Sequence, residues 1–452
     1  MLILKKILLF FALIFLFESS YSQSRYQFYG KEDVKQKLPF KLINNLIVIP
    51  VQVNGQDLSF ILDTGVNKTI LFNLSDKDSI GLNQVRRIKL KGLGNGKPVH
   101  ALISKNNNFR VSKIVNYNED LYVILREDLN FSAKMGVAIH GIIGYNLLKD
   151  VIVKINYKTK TLTFYNPKKY EVKPCRKCET FDLKFFRNKP YINTAIQLDT
   201  IGEKLTDTKL LIDSGGSDAL WLFEETKEDI KTPKKFFNDI LGEGLSGTIY
   251  GNRSKVPKFV LGKYVIKEPT VSFLDTTTTV NARVFKDRNG SIGGAILRRF
   301  KVWLDYPNKK VVFKKNSSLK KGFYYNMSGL IVVYDGQQLI KEEEQVAVKN
   351  PFGLSSSSEL TSDSDVFSFV SKFSYNFKPL FKIQEVIEGS PAHEVGLLKD
   401  DVITKINGKS AHLYTLDEIN GMFVLEPNLK VTLEIERDGI PYKYKFKLKR
   451  RI

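Results

Sequence analysis

The segment that contains Asp63 recurs around Asp213, and this duplication limits what the chain can fold into. Residues 60–65 read Phe-Ile-Leu-Asp-Thr-Gly, and residues 210–215 read Leu-Leu-Ile-Asp-Ser-Gly. Further pairs of similar segments follow in the same order: 92–96 with 242–247, 141–144 with 290–293, and 155–164 with 304–313. An ordered series of matches indicates two copies of one structural unit. With 452 residues, the chain is also too long for a single compact core.

Each copy has the sequence pattern of a β structure. Residues 46–53 are rich in β-branched side chains, and Asn54-Gly55 predicts a hairpin turn into a second strand at 58–62. Later in the first copy, residues 151–164 have the pattern of another hairpin. We therefore expect each copy to be a small β-barrel or sandwich.

The duplicated carboxylate is the candidate for chemistry. An aspartate before a small residue and a glycine also occurs in ordinary turns, so neither segment alone indicates a site. Two such strand ends that face each other would bring Asp63 and Asp213 together. Two close carboxyl groups cannot both ionise easily, so the pair would hold one proton between them. This arrangement suits combined acid and base action on a water molecule.

The two copies resemble the aspartic peptidases. The resemblance lies in the Asp-Thr/Ser-Gly pair and in the later segments 142–144 and 291–293, where two residues precede a glycine. Ser291 departs from the apolar pattern of these later segments. The small lobes resemble the retropepsin-like members, here fused in tandem as in the bilobal pepsins. The resemblance covers residues 40–315 and implies a mainly β fold with two duplicated acid-protease-type β-barrel lobes.

The resemblance also implies roles for individual residues. Asp63 and Asp213 would activate the lytic water, and the loops that carry them would be supported by Thr64, Gly65, Ser214 and Gly215. The substrate flaps would include Leu93, Gly94, Gly96 and Gly244. Many acid-active members have a hydroxyl residue after the glycine, whereas this chain has Val66 and Gly216. We therefore expect activity to peak at mildly acidic to near-neutral pH.

The C-terminal part resembles a PDZ domain of the kind found in bacterial proteases. Residues 390–392 read Ser-Pro-Ala, Gly-Leu follows at 396–397, and Asp-Val-Ile at 401–403 leads to Ile-Asn-Gly at 406–408. The resemblance implies that a peptide adds as a strand and that its C-terminal carboxylate is held by a loop. The matching loop residues are Ser328, Gly329, Leu330 and Ile331. The alternative is a domain that serves only as a scaffold.

These observations divide the chain into four parts. We expect a signal peptide at 1–22, the first peptidase lobe at 23–170, the second at 171–316, and the PDZ domain at 317–452 with a disordered insertion near 341–372. Lys5 and Lys6 before an apolar stretch favour export to the periplasm or the cell exterior. An uncleaved anchor is the alternative, although the stretch is shorter than the roughly 20 residues of a membrane span.

The charge distribution and the cysteine content limit which classes of partner, metal or cofactor we expect. The net charge is +22, but the basic residues are spread along the chain without the aromatic clusters of nucleic-acid binding proteins. We expect no nucleic-acid partner and a loose association with anionic envelope surfaces. The only cysteines, Cys175 and Cys178, could form a disulfide, a redox pair or half a zinc site. We favour a structural disulfide and expect no cofactor and no metal.

The favoured function is an aspartic endopeptidase that cleaves exported or envelope proteins and carries a PDZ domain for peptide or protein binding. The alternative is a catalytically silent peptide-binding protein of the same fold. Residues 215–219 approach the motif of serine hydrolases but lack its final glycine, which disfavours that class.

Overall fold

The computed structural model describes residues 24–30, 34–73, 80–90, 98–124, 131–244, 247–349 and 367–452. The signal peptide expected at 1–22 lies outside these ranges. The chain divides into two compact units. Unit 1 comprises residues 1–130 and 138–323, and unit 2 comprises residues 131–137 and 324–451.

The first half of unit 1, which we call lobe 1, is built almost entirely of strands. The elements are given in chain order, and α1, which belongs to unit 2, is included so that the numbering is continuous. They are β1 (Gln27–Phe28), β2 (Lys35–Pro39), β3 (Lys41–Ile43), β4 (Leu46–Val53), β5 (Gln56–Leu62), β6 (Thr69–Leu71), β7 (Arg86–Leu90), β8 (Val99–Val111), β9 (Ile114–Ile124), α1 (Phe131–Met135), β10 (Gly141–Ile143), α2 (Tyr145–Leu148), β11 (Ile152–Asn156), β12 (Thr161–Tyr165) and a 3₁₀ turn (Pro167–Lys169). Within the described residues, the main sheet has the order β1-β9-β6-β10-β5-β4-β8-β7, with β3 beside β4.

The second half of unit 1, lobe 2, repeats this plan. Its elements are β13 (Cys178–Asp182), β14 (Lys184–Phe186), β15 (Lys189–Gln197), β16 (Thr206–Ile212), β17 (Leu220–Phe223), β18 (Phe237–Gly244), β19 (Gly247–Lys255), β20 (Lys258–Leu261), β21 (Tyr264–Lys267), β22 (Thr270–Leu274), α3 (Thr276–Thr279), β23 (Gly290–Ile292), α4 (Gly294–Leu297), β24 (Phe300–Asp305), β25 (Lys310–Lys315) and a 3₁₀ turn (Ser317–Lys320). The described strands of its main sheet follow the order β18-β19-β22-β17-β23-β16-β15-β20-β21, with β14 beside β15.

Equivalent strands surround the duplicated segments in the two lobes. In lobe 1, β10 runs parallel to β5 and places Ile143 beside Leu62. In lobe 2, β23 runs parallel to β16 and places Ile292 beside Ile212. The late segments predicted to match each other therefore occupy equivalent positions behind the two aspartate-bearing strands.

A third sheet joins the lobes. Among the described residues its strand order is β13-β25-β24-β11-β12-β2, so strands of lobe 1 pair directly with strands of lobe 2. The inward faces of these strands carry buried residues such as Val153, Phe164 and Leu304, which belong to a hydrophobic core shared by both lobes. Burial of this apolar surface is the main force that holds the two copies together.

Local sequence signals explain several of these elements. The hairpin between β4 and β5 turns at Asn54 and Gly55, both with positive φ, as the Asn-Gly pair predicts. The expected disulfide between Cys175 and Cys178 is present and lies at the start of β13. It therefore constrains the chain where it enters β13, an outer strand of the third sheet.

Unit 2 is a smaller sheet with two short helices. Besides α1, its elements are β26 (Leu330–Lys349), β27 (Phe367–Val386), α5 (Pro391–Glu394), β28 (Val402–Ile406), β29 (Lys409–Ser410), a 3₁₀ turn (Ala411–Leu413), α6 (Leu416–Met422), β30 (Lys430–Arg437) and β31 (Ile440–Lys447). The described strands follow the order β26-β27-β28-β30-β31, with β29 beside β28. Thr415 and Glu418 form a capping box at the start of α6.

The prediction of a disordered insertion near 341–372 is partly wrong. Residues 341–349 lie in β26, and residues 367–372 lie in β27, to which β26 is paired. The intervening residues 350–366 lie outside the described residues. Alternating apolar side chains such as Val346, Val348 and Val370 favour strands here, and the serine-rich composition of the intervening segment obscured that pattern.

Within the described residues, no helix has the length and apolar character needed to cross a bilayer.

Candidate active site

The two duplicated aspartates lie at the ends of β5 and β16. The backbone N–H of Asp63 donates to the carbonyl of Ile143 (2.8 Å), and that of Asp213 donates to the carbonyl of Ile292 (2.9 Å). Each aspartate is therefore fixed by the late parallel strand of its own lobe.

The hydroxyl residues after the aspartates brace the two loops against each other. The Thr64 N–H donates to Ser214 Oγ (3.0 Å), and the Ser214 N–H donates to Thr64 Oγ1 (2.9 Å). Each hydroxyl then donates to a carbonyl of the opposite lobe, Thr64 to Ile212 (2.6 Å) and Ser214 to Leu62 (2.7 Å). Both side chains are buried, so these hydrogen bonds fix the relative position of the loops in a dry environment.

The glycines allow the carboxyl groups to approach. A Cβ at Gly215 would lie 2.2 Å from Asp63 Cγ, and a Cβ at Gly65 would lie 3.0 Å from Asp213 Oδ1. Each glycine therefore leaves room for the aspartate of the other lobe. The glycine N–H groups donate to the aspartate of their own lobe, Gly65 to Asp63 Oδ1 (2.6 Å) and Gly215 to Asp213 Oδ1 (3.1 Å). A Cβ at Gly65 would also lie 3.1 Å from Asp63 Oδ1, so the two carboxyl groups lie on either side of the same glycine.

Comparison with known proteins identifies both parts of the chain. Residues 49–147 match the family model described as aspartyl protease, and residues 382–437 match the model described as PDZ domain. The chain carries an aspartyl protease domain and a PDZ domain. Among solved structures, the aspartic proteinase from Irpex lacteus is similar at 12% identity with a TM-score of 0.42, over 63% of this chain and 98% of that one. No curated protein matches the sequence.

The segments predicted to form substrate flaps lie only partly within the described residues. Leu93, Gly94 and Gly96 lie outside the described residues. Gly244 ends β18 and pairs with Gly247 at the tip of the β18–β19 hairpin. The structure thus places Gly244, a predicted flap residue, at a hairpin tip.

An ionic link joins this hairpin to the catalytic loop of lobe 2. Arg253 in β19 contacts Asp218 Oδ1 (2.9 Å) through Nη1 and Asp239 Oδ2 (2.7 Å) through Nε. Trp221 Nε1 also donates to Asp218 Oδ2 (2.7 Å). Sequence analysis missed this link, because its members lie on three separate segments.

The two carboxyl groups differ in their proton affinity. Burial and the negative charge of Asp213 raise the pKa of Asp63 to about 7. Burial also raises the pKa of Asp213, but the positive charges of Arg288 and Lys189 oppose that rise. Lys189 lowers the pKa of Asp63 as well, so Arg288 is the cation that distinguishes the two carboxyl groups. Asp213 therefore ionises first, and Asp63 keeps the shared proton.

Both of these cations belong to lobe 2, and lobe 1 has apolar residues at the equivalent positions. Tyr191 pairs with Leu211 as Val48 pairs with Ile61, so Lys189, which begins β15, corresponds to Leu46, which begins β4. The second correspondence follows from backbone hydrogen bonds. Asn289 donates to Lys209 as His140 donates to Ser59, which aligns Arg288 with Ile139.

Arg288 is held in a buried position by neutral groups. It is only 4% exposed, and its Nε donates to the carbonyl of Gly290 (3.2 Å). Its guanidinium lies over the Phe223 ring at 4.8 Å and over the Tyr191 ring at 5.9 Å. Within the described residues it makes no ion pair. Because a buried charge is poorly screened, its field acts on Asp213. A comparison of the two copies in the sequence can identify this residue, because it is a charged residue where the first copy has Ile139.

The predicted carboxylate-binding loop of the PDZ domain has its own hydrogen-bond partners. The N–H groups of Ser328 and Gly329 donate to Asn326 Oδ1 (3.0 and 3.3 Å), and the Leu330 N–H donates to Ser328 Oγ (3.0 Å). Ile331 follows in β26 and pairs with Glu385. A peptide carboxylate would therefore have to displace Asn326 Oδ1 and Ser328 Oγ to reach these amides. Sequence analysis did not identify Asn326.

Proposed function

We propose that this protein is an aspartic endopeptidase in which Asp63 and Asp213 activate one water molecule for attack on a peptide bond. The observation that carries the proposal is the close approach of the two carboxyl groups between crossed loops. A single lobe supplies only one of the two groups that the reaction needs.

The difference in proton affinity assigns the roles. Ionised Asp213 accepts a proton from the water as general base, while protonated Asp63 donates its proton to the carbonyl oxygen of the substrate. The water oxygen bonds to the carbonyl carbon and a tetrahedral intermediate forms. Asp213 then transfers a proton to the amide nitrogen and the C–N bond breaks, while one hydroxyl of the intermediate returns its proton to Asp63 and restores the starting dyad. The products are a carboxylic acid and an amine.

We further propose that the substrates are exported or envelope proteins, on the strength of the basic and apolar residues 5–17. The PDZ domain would bind a peptide or protein segment. A catalytically silent peptide-binding protein is the competing function. The presence of both aspartates and both glycines favours a peptidase.

Cleavage of a peptide library by the full chain tests the proposal. We expect Asp63→Asn and Asp213→Asn each to lower kcat/KM by at least about a hundredfold, because each removes one half of the acid and base pair. The matched controls are Asp57→Asn in β5 and Asp207→Asn in β16, exposed positions upstream on the same two strands. Both controls should keep wild-type activity.

Three outcomes would overturn the proposal. Full activity in either dyad variant would exclude a shared site. Equal losses in the control variants would assign the effect to the strands rather than to the dyad. No cleavage by a folded wild-type protein, together with peptide binding, would favour the silent binding protein.

A further inference from the structure

The sheet that joins the two lobes has an outward face dominated by lysine. The strand register places three rows of side chains on this face. They are Pro39, Thr161, Asn156, Lys301, Lys314 and Cys178; Lys37, Thr163, Lys154, Trp303, Val312 and Thr180; and Lys35, Tyr165, Ile152, Asp305, Lys310 and Asp182. The residues between these rows point inward and are mostly buried and apolar. Within the rows, Ile152, Thr163 and Asp305 are also buried, and Tyr170 packs against Tyr165, so the chain after β12 covers part of the third row. We call the six lysines of these rows the lysine face.

The lysine face is not neutralised by neighbouring acids. None of its six lysines makes an ion pair within the described part of the chain. Of the two acids in the rows, Asp305 is buried and accepts hydrogen bonds from Asn308, and Asp182 lies in the outermost strand. Both acids lie opposite Lys310 in the strand register, so the positive charge available to a partner is that of the other five lysines.

The lysines are also close enough to repel one another. Partial burial lowers the pKa of Lys154, and the positive charges of Lys301, Lys314 and Lys37 lower it further. An anion placed over these strands would relieve that repulsion. The lysine face therefore has an electrostatic reason to bind negative charge.

The shape of the face favours one kind of partner. Six strands about 4.8 Å apart give a broad surface about 24 Å wide rather than a groove. Trp303 lies near its centre with Lys154 Nζ 5.3 Å from the ring, and Tyr165 lies in the next row. Tryptophan and tyrosine beside lysine are typical of surfaces that contact lipid headgroups. Nucleic acid is instead bound by grooves and stacked aromatic residues.

We propose that the lysine face docks the protein onto an anionic lipid bilayer. The first two rows meet the headgroups, their lysines pair with phosphates, and Trp303 enters the interface. The proposal is independent of the chemistry of the dyad, so it stands or falls separately from the peptidase function.

Co-sedimentation of the full chain with vesicles tests this proposal. The vesicles contain phosphatidylglycerol in phosphatidylcholine, and pure phosphatidylcholine vesicles measure any binding by the apolar residues 7–17. The triple variant Lys154→Gln, Lys301→Gln and Lys314→Gln should lose roughly a hundredfold in affinity, since each lysine near an anionic leaflet contributes about fivefold. Added salt should weaken wild-type binding.

The matched control removes the same charge elsewhere in unit 1, through Lys89→Gln, Lys113→Gln and Lys267→Gln at exposed positions of the two main sheets. It should bind the anionic vesicles nearly as well as wild type. Equal losses in both triple variants would show that net charge alone attracts the protein and would overturn the proposal. Binding to single-stranded RNA but not to the vesicles would also overturn it. A thermal melt of each variant identifies any loss caused by misfolding.

Discussion

The two lobes supply the same residues to the dyad but differ in the charges around it. Lobe 1 places Leu46 and Ile139 where lobe 2 places Lys189 and Arg288. The crossed hydrogen bonds of Thr64 and Ser214, by contrast, are nearly symmetric. A duplicated scaffold can therefore keep its geometry symmetric while assigning different proton affinities to its two carboxyl groups. The symmetric part positions the dyad, and the asymmetric part assigns acid and base.

Removal of the crossed hydrogen bonds of Thr64 and Ser214, which are the symmetric part, should have the largest effect. Thr64→Val deletes the hydroxyl that accepts from the Ser214 N–H and leaves this buried donor without a partner, and Ser214→Ala does the same to the Thr64 N–H. Each change should lower the free energy of unfolding by about 1–3 kcal/mol. Denaturation in urea measures this, with Thr64→Ser as the control that keeps the hydroxyl. A large difference between the two deletions would contradict the symmetry of the brace.

The asymmetric part should control the acidic limb of the pH profile. Arg288→Ile copies lobe 1 and removes a positive charge that lowers the pKa of Asp213. Because the active form needs Asp213 ionised, the acidic limb of kcat/KM should move to higher pH by about one unit. Lys189→Leu should move it in the same direction by less, since Lys189 is partly exposed.

The control for these changes is Lys184→Leu, an exposed lysine in the neighbouring strand β14. It should leave the limb in place. If Arg288→Ile melts like wild type and its acidic limb does not move, the cations of lobe 2 do not assign the base.

A new hydroxyl in lobe 2 should shift the acidic limb of kcat/KM by a smaller amount and towards lower pH. A Cβ at Gly216 would lie 3.5 Å from Asp213 Oδ2, an ordinary contact distance, so Gly216→Ser fits beside the carboxylate. Its hydroxyl can donate to ionised Asp213 and lower the pKa. The acidic limb should move to lower pH by a few tenths of a unit, as measured by kcat/KM against pH. Gly216→Ala, which adds the Cβ without the hydroxyl, should not move it.

The symmetric features could be predicted from the sequence, and the asymmetric ones could not. The repeat around Asp63 and Asp213 predicted equivalent strands because short apolar patterns report local structure. The pairing of β11 with β24 depends on contacts distant along the chain, which periodicity does not reveal. Arg288 is an isolated charge whose neighbours come from other strands. The match of 141–144 with 290–293 aligns it with Ile139, but only the structure shows that its charge acts on Asp213.

The pH dependence of kcat/KM for the wild-type protein tests the central claim most directly. The active dyad holds one proton on Asp63, whose pKa is raised to about 7. As pH rises through that value Asp63 loses its proton, the general acid disappears, and kcat/KM should fall. The predicted result is an alkaline limb near pH 7. An alkaline limb near 3.8, the ordinary aspartate value, would contradict the account, because Asp63 would then be no more basic than a solvated carboxyl group.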